Sequence, residues 1–299
     1  MIEFAPSPLI ALPEQSRPRG FRAWRDQAKL RLREWQNPLV ARRWKGLRAD
    51  LPVLSECCAI VPRMPYKLYV PYFSTRLSPH CRLDALAVHY RLMDQWGVGG
   101  LLLRAARQAV TLGHLPGKSG QAYALRLQAC HALMREGELV LQLALDGCMI
   151  YAVAFTFMEE RGERVLALGC VQGGNSEDAQ ELVRQATRDL HGLRPKNLLM
   201  RVLRDLAARA GCARLVLVGN ANRAVTRPIR DGKVFADYDA FWEECGASRR
   251  ADGDYALAPE RAGASDLSEV ASKKRAEVRR RDSLAIEASA AVGSALHLD

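Results

Sequence analysis

With 299 residues, 48% of them hydrophobic and 26% charged, the chain has enough apolar material for a sizeable core, which excludes a disordered or fibrous protein. Its eight cysteines form no C-x-x-C pair and have no closely spaced histidines beside them, so neither a disulfide scaffold nor a zinc cage is expected, and no metal. The formal charge of +11 sits at the two ends: residues 17–48 carry eleven Arg and Lys against Asp26 and Glu34, and residues 273–281 carry six against Glu277.

Such ends suit anionic lipid headgroups or nucleic-acid phosphates. The plainer reading, equally open, is a solvated helix face and a soluble tail. Specific nucleic-acid binding is not expected, because no recognition motif accompanies the charge. The first residues lack the basic start and continuous apolar stretch of a signal peptide, and no uncharged run is long enough to cross a bilayer, so the expected location is the cytoplasm.

Residues 1–16 are Pro-rich and predicted to be extended. From Phe21, the residues Phe21, Trp24, Ala28, Trp35 and Leu39 keep near-helical spacing among basic neighbours, and Pro38 is expected to break that helix. The stripe reads either as a membrane-surface helix or as one packed on the protein's own core. Residues 57–73 contain Pro62, Pro65 and Pro71 and are predicted as an irregular connector. Ser78-Pro79 opens a helix by a serine cap and a first-turn proline, and Leu83, Leu86, Ala87, Tyr90 and Met93 make its inner stripe with His89 beside it. Another helix is predicted over 101–111. In residues 121–172 the apolar period changes from helical to alternating, as in Tyr123, Leu125, Leu127, Ala129, His131 and Leu133. With Asp146-Gly147 as a hairpin turn, four strands in an antiparallel meander are predicted. A helix follows, capped by Asn175 or Ser176 with Glu177 in its first turn, then a second from Pro195 stopped by Gly211, then a buried strand over 215–218. Tyr238, Phe241, Trp242 and Cys245 indicate a short helix ending at Gly246, and Asp252-Gly253 leads into a last short strand at Tyr255-Ala256-Leu257. Beyond Pro259 the composition predicts a loosely ordered basic tail. The division expected is a basic extension at 1–50, a helical part at 51–120, a mixed α/β part at 121–259 and the tail at 260–299.

No phosphate loop, H-E-x-x-H or G-x-S-x-G motif is present. Gly173-Gly174, with Gln172 ahead of them, stand at a strand-to-helix junction where backbone amides can hold an anion, or form a tight turn. His191, Arg194 and Lys196 lie in one loop before a helix N-terminus, where fixed cations and the helix dipole attract phosphate or carboxylate and His191 can move protons. The same residues also read as ordinary loop cations. Asn220 and Asn222 follow the end of the buried strand, where open α/β sheets bind ligands, and both suit a turn equally well. Of Glu243-Glu244, adjacent on a helix, at least one is expected to face solvent.

Taken together, Arg82, His89-Tyr90, Val171-Gln172-Gly173, His191-Gly192-Leu193-Arg194-Pro195-Lys196, Gly219-Asn220, Tyr238-Asp239-x-Phe241-Trp242-x-Glu244-x-Gly246 and Asp252-Gly253-x-Tyr255-x-Leu257 resemble the VirK/YbjX family of Gram-negative bacteria over residues 54–259. That resemblance implies a role in envelope homeostasis and virulence-type traits; the basic ends add peripheral attachment to the inner membrane as a variant of the cytoplasmic location. It implies no catalytic residue. The order of elements is also similar to that of GNAT acyltransferases, so the fold class expected is α+β, a helical N-terminal part followed by a GNAT-like mixed sheet. The GNAT pattern Q/R-x-x-G-x-G/A is not matched, since the glycines of Gln172-Gly173-Gly174 come too early. On the acyltransferase reading, acyl-CoA or acyl-carrier protein is the donor. Gln172, Gly173, Gly174, Arg194, Lys196 and Asn220 bind its anionic part, and His191 or Glu244 serves as general base. The alternative is a non-catalytic protein that binds an anionic membrane surface through its basic ends.

Overall fold

The computed structural model describes residues 21–130, 133–174, 178–225 and 237–299. The Pro-rich start, His131, and the cap expected at Asn175 or Ser176 with Glu177 behind it lie outside the described residues.

Prolines set the boundaries of the first helices. Helix α1 (Phe21–Gln36) stops ahead of Pro38, and α2 (Pro38–Asp50) and α3 (Pro52–Ile60) each begin on a proline, whose missing N–H costs nothing in a first turn. The connector predicted over 57–73 is more ordered than its prolines suggest. Its start belongs to α3, and a 3-10 turn (Met64–Leu68) follows, with a proline again in the opening turn. Helix α4 (Pro79–Gln95) is capped as predicted, the Ser78 hydroxyl accepting the Cys81 N–H at 3.2 Å. Helix α5 (Gly99–Arg107) ends earlier than periodicity predicts, because the chain there becomes an edge strand, β1 (Val110–Pro116), paired with the next strand. That pairing is non-local, and the short run has no alternation to announce it.

The predicted meander is present as β2 (Ala122–Ala129), β3 (Leu139–Leu145), β4 (Cys148–Glu160) and β5 (Glu163–Gly173), each antiparallel to the next. Asp146 and Gly147 turn the β3–β4 hairpin at φ 50° and 82°. Helices α6 (Ala179–Asp189) and α7 (Pro195–Arg209) cross over to β6 (Arg214–Leu217), which pairs parallel to β5. A 3-10 turn (Asn220–Asn222), α8 (Tyr238–Glu244), β7 (Ser248–Arg249) and β8 (Tyr255–Leu257) follow. Among the described residues the strands form one sheet in the order β1-β2-β3-β4-β5-β6-β8-β7, in which β5–β6 is the parallel pair. The protein is α+β, a helical N-terminal part followed by a mixed sheet, as the sequence predicts.

The tail expectation is corrected. Residues Ser272–Ala295 form α9, which lies on α7 and β1 and buries Leu284, Ala285, Ala288 and Val292. Its inward face mixes Leu284 and Val292 with Asp282 and the small residues Ala285, Ala288, Ser289 and Gly293, so composition alone resembles that of a solvated segment.

One apolar core runs from Val40 on α2 through the sheet to Leu296 beyond α9. Inside it lies a polar cluster. Lys67 of the 3-10 turn donates to Glu138 Oε1 at 2.6 Å, Tyr90 of α4 donates to Oε2 at 2.8 Å, and Thr156 Oγ1 of β4 accepts the Glu138 N–H at 2.9 Å and bonds Tyr72 Oη at 2.9 Å. Lys67 and Glu138 are both 1% exposed. Burial opposes the Glu138 charge, but the Lys67 ammonium and the hydrogen bonds from Lys67 and Tyr90 hold its carboxyl below the ordinary value. His89 is wholly buried, its Nδ1 accepting the Phe157 N–H at 3.3 Å, and burial pushes its pKa down to about 4. It is a neutral core histidine.

Lys67→Met should therefore lower stability at pH 7 by roughly 3–5 kcal/mol, because an ionised Glu138 is left without its cation in a low-dielectric interior. Urea denaturation should show most of this loss recovered in Lys67→Met/Glu138→Leu. The single variant's penalty should shrink as pH falls and Glu138 protonates.

Candidate functional site at the parallel strand pair

The region outside the carboxyl ends of parallel strands, at a switch point in the strand connections, is where open α/β sheets take ligands. Strands β5 and β6 pair from Val165↔Arg214 to Leu168↔Leu217, with the Val218 N–H reaching the Leu168 carbonyl at 3.0 Å. The ladder then stops, while β5 continues to Gly173. At the same point β5 is bulged against β4, where the register shifts at Ala154/Phe155 around Gly169. A Cβ at Gly169 would run into the Glu136 carbonyl oxygen, so only glycine lets the segment before β3 approach this closely.

That approach brings the Glu136 side chain to the split. Glu136 is 5% exposed and faces Cys170 of β5, Arg223 and Arg135. Burial pushes its pKa up to about 7, against the pull of Arg223, the Cys170 hydrogen bond and Arg135. Tyr238, at the start of α8, accepts the Val171 N–H at 3.0 Å, a group that β6 would have taken had the ladder continued, and donates to Cys170 Sγ at 3.3 Å. The Arg223 guanidinium stacks 3.8 Å from the centre of the Tyr238 ring. Trp242 ties α8 to β6 through its indole N–H and the Val218 carbonyl at 2.8 Å. Below them Asp254 accepts from the Gly219 N–H and from Asn222 Nδ2, each at 2.9 Å, and burial raises its pKa. The arrangement is a buried carboxyl that changes charge near neutral pH, with a fixed cation and a phenol beside it.

The residues singled out by sequence are distributed differently from the expected cluster. Gln172 and Gly173 occupy the last rungs of the β4–β5 ladder opposite Ala152 and Tyr151, and the Gly174 N–H is given to the Ile150 carbonyl at 3.1 Å. The Gly174 amide is thus already engaged and does not offer itself to an anion. Asn220 is a staple for α8: its Nδ2 donates to Asp237 at 2.7 Å, its Oδ1 accepts the Tyr238 N–H at 3.0 Å, and its own N–H reaches Asp239 at 2.8 Å. Arg194 and Lys196, at the start of α7, turn to Glu244 of α8, at 2.7 and 3.1 Å, and Lys196 also lies over the Phe241 ring. The Lys196 hydrogen bond and charge, with Arg194 and the Asn197 amide, hold the Glu244 carboxyl below its ordinary range against the opposing effect of burial, so it is a counter-ion rather than a base near neutrality. His191 turns instead to α9. Its carbonyl accepts Arg281 Nε at 2.6 Å, and burial with Arg280 and Lys118 lowers its pKa. The loop does not gather His191, Arg194 and Lys196 on one target, because positive φ at His191 and Gly192 turns the chain between them.

Glu136, Cys170 and Arg223 are absent from the sequence-based set. One signal for them is visible: a lone glycine inside the apolar strand around Leu168-Gly169-Cys170 marks a bulge or a close backbone approach. Far from this site, on the β1 edge, a hollow of about 590 Å³ is lined by Leu101, Arg104, Thr111 and His297 among others. Its lining holds no carboxylate, so it lacks the acid–base groups found at the split.

The model of the family described as DUF535, protein of unknown function, matches residues 19–292. The chain belongs to the DUF535 (VirK/YbjX) family. The match takes in α1 and nearly all of α9, which the motifs over 54–259 leave out. The uncharacterized protein YbjX of Escherichia coli K12 is 32% identical over 258 residues, 85% of this chain and 78% of that one. An uncharacterized protein of Haemophilus influenzae is 34% identical over 132 residues, 44% of this chain and 43% of its own. A Mannheimia haemolytica protein named membrane protein LapB is 24% identical over 194 residues, 61% of this chain and 78% of its own. No solved structure matches significantly. Among the described residues no helix is long and apolar enough to cross a membrane.

The raised pKa of Glu136 has a definite sign for stability. Between the ordinary value of 4.5 and about 7 the folded chain binds more protons than the unfolded chain, so this group's contribution is lost as pH rises through that window. Glu136→Gln should flatten that dependence and raise stability at pH 8 by roughly 3 kcal/mol, from the size of the shift. Urea denaturation at pH 5 and pH 8 checks it, with little change expected at pH 5.

Proposed function

We propose that this VirK/YbjX-family chain is an acyl-transfer enzyme serving the Gram-negative envelope. On this reading the acyl group of a thioester, carried by CoA or by acyl-carrier protein, reaches the split between β5 and β6 and passes to an amine or hydroxyl of an envelope component. The observation that carries the reading is Glu136, a buried carboxyl poised near neutral pH where the parallel strands separate. The strand order supports it, because a meander, one parallel pair and a last strand, β8, set between β6 and β7 is similar to the GNAT order.

The chemistry follows from the groups present. Glu136, ionised in half the molecules at about pH 7, takes the proton of the attacking amine or hydroxyl. The new C–N or C–O bond forms at the thioester carbonyl carbon, the C–S bond breaks, and the proton passes to the leaving thiolate, giving an amide or ester and a free thiol. Tyr238, whose pKa burial raises, remains protonated and turns its hydroxyl from Cys170 to donate to the developing oxyanion, for which Arg223 supplies positive charge. Crossing helices run antiparallel to the strands they join, so the N-terminus of α7 stands at the end of the sheet where β5 and β6 part. Arg194 and Lys196 there would receive the donor's phosphates in exchange for Glu244.

A second reading, non-catalytic binding at an anionic membrane, draws on the outward aromatic face of α1 and on the name of the Mannheimia relative, membrane protein LapB. Calorimetry and mass spectrometry of the full chain with acetyl-CoA, a long-chain acyl-CoA and acyl-acyl-carrier protein separate the two. The expected result is binding of at least one donor, with thiol release slowed roughly 10²–10⁴-fold in Glu136→Gln and donor binding kept. The rate should rise with pH through about 7. Absence of binding by every donor overturns the enzyme reading.

A further inference from the structure

Helix α1 is seated with its polar side against the protein. Over residues 24–36 its half-buried residues are Asp26, Leu30, Arg33 and Glu34, and Arg33 donates to the Tyr69 carbonyl while Leu30 packs on the core. The opposite face carries Trp24, Leu32 and Trp35, which the 3.6-residue period places together, and Leu39 at the start of α2 extends it. These side chains are 66%, 54%, 78% and 66% exposed in chain order. Of the five large apolar side chains exposed among the described residues, they are four, so the apolar exposure is concentrated here. Exposed Arg25, Lys29 and Arg31 flank the face on α1, and exposed Arg42 and Lys45 continue it on α2, where Arg43 is paired with Asp84 at 2.7 Å. The two acids of α1, Asp26 and Glu34, are the ones turned inward.

We infer that this face docks on an anionic lipid bilayer, lying in the plane of the interface with Trp35, Leu32 and Leu39 in the headgroup–acyl boundary. The two halves of the surface decide the occupant. The apolar stripe gains free energy only in a medium that removes it from water, and the flanking cations gain only beside negative charge; an anionic bilayer supplies both within one helix diameter. A second copy of the chain would bury the stripe but bring the same cations face to face. Nucleic acid would satisfy the cations and leave the leucines in water. The inference does not depend on acyl transfer.

The test uses the full chain with vesicles of phosphatidylcholine alone and of phosphatidylcholine with phosphatidylglycerol. Flotation should carry the protein up with the anionic vesicles and leave it behind with the neutral ones. Leu32→Ser/Trp35→Ser should weaken that partition by roughly tenfold or more, since the two side chains supply much of the apolar area available to the interface. Lys29→Gln/Arg31→Gln should reduce the preference for phosphatidylglycerol. Every substituted side chain is exposed, so thermal unfolding followed by circular dichroism should be unchanged. The inference is overturned if the chain does not float with anionic vesicles, or if the apolar double variant floats as well as the parent. A dimer in size-exclusion chromatography that the apolar variant dissociates would likewise overturn it, by assigning the face to a second copy.

Discussion

The ion pair between Lys67 and Glu138 is the contact on which the two parts of the molecule depend. It joins a 3-10 turn of the helical layer to the segment that leads into β3, and Tyr90 of α4 and Thr156 of β4 complete its hydrogen bonds. In the interior an unpaired charge is far more costly than in water, so a packing of the two layers that buries one of these groups without the other is disfavoured. Apolar contacts alone would hold the layers together with less demand on register. The charged cluster selects one placement of the helices on the sheet, and it does so two residues from Glu136.

That proximity links the core to the site. Glu136 and Glu138 flank Gly137, so they sit on one short segment with opposite fates. Glu138 is matched by an ammonium and a phenol and stays ionised. Glu136 has Arg223 and Arg135 in its surroundings, yet burial dominates and its pKa rises to about 7. One carboxylate anchors the segment, and the other is carried by it to the place where β5 and β6 part. A fixed backbone under a group with a shifted pKa is what proton transfer at a defined position requires.

The two ends of the chain carry similar charge and behave differently. Helix α9 is basic, but its small residues let it lie flat on α7 and β1, where it belongs to the core. Helix α1 has larger apolar residues, yet they face away from the protein. Its orientation is set by Arg33 and Leu30, which grip the body and leave the tryptophans outward. A hydrophobic period states that a helix has an apolar face, and it is silent on whether that face is covered.

Local chemistry determined much of this protein without help from the rest of the chain. Prolines placed the helix starts, Ser78 the cap of α4, Asp146-Gly147 the hairpin, and alternation the meander, because each acts through its own φ angle, its own hydrogen bond or its nearest neighbours. Tertiary structure decided everything that joins distant segments. The edge strand β1 exists because β2 is there to pair with it, and the alanine-rich α9 is ordered because α7 and β1 offer it a surface. The loop cations near residue 194 look like a ligand site along the chain, but Glu244 reaches them from fifty residues away, while Glu136 gains its shifted pKa only from the strands and cations folded around it. Burial and long-range charge are properties of the assembled interior, which no single stretch of residues contains.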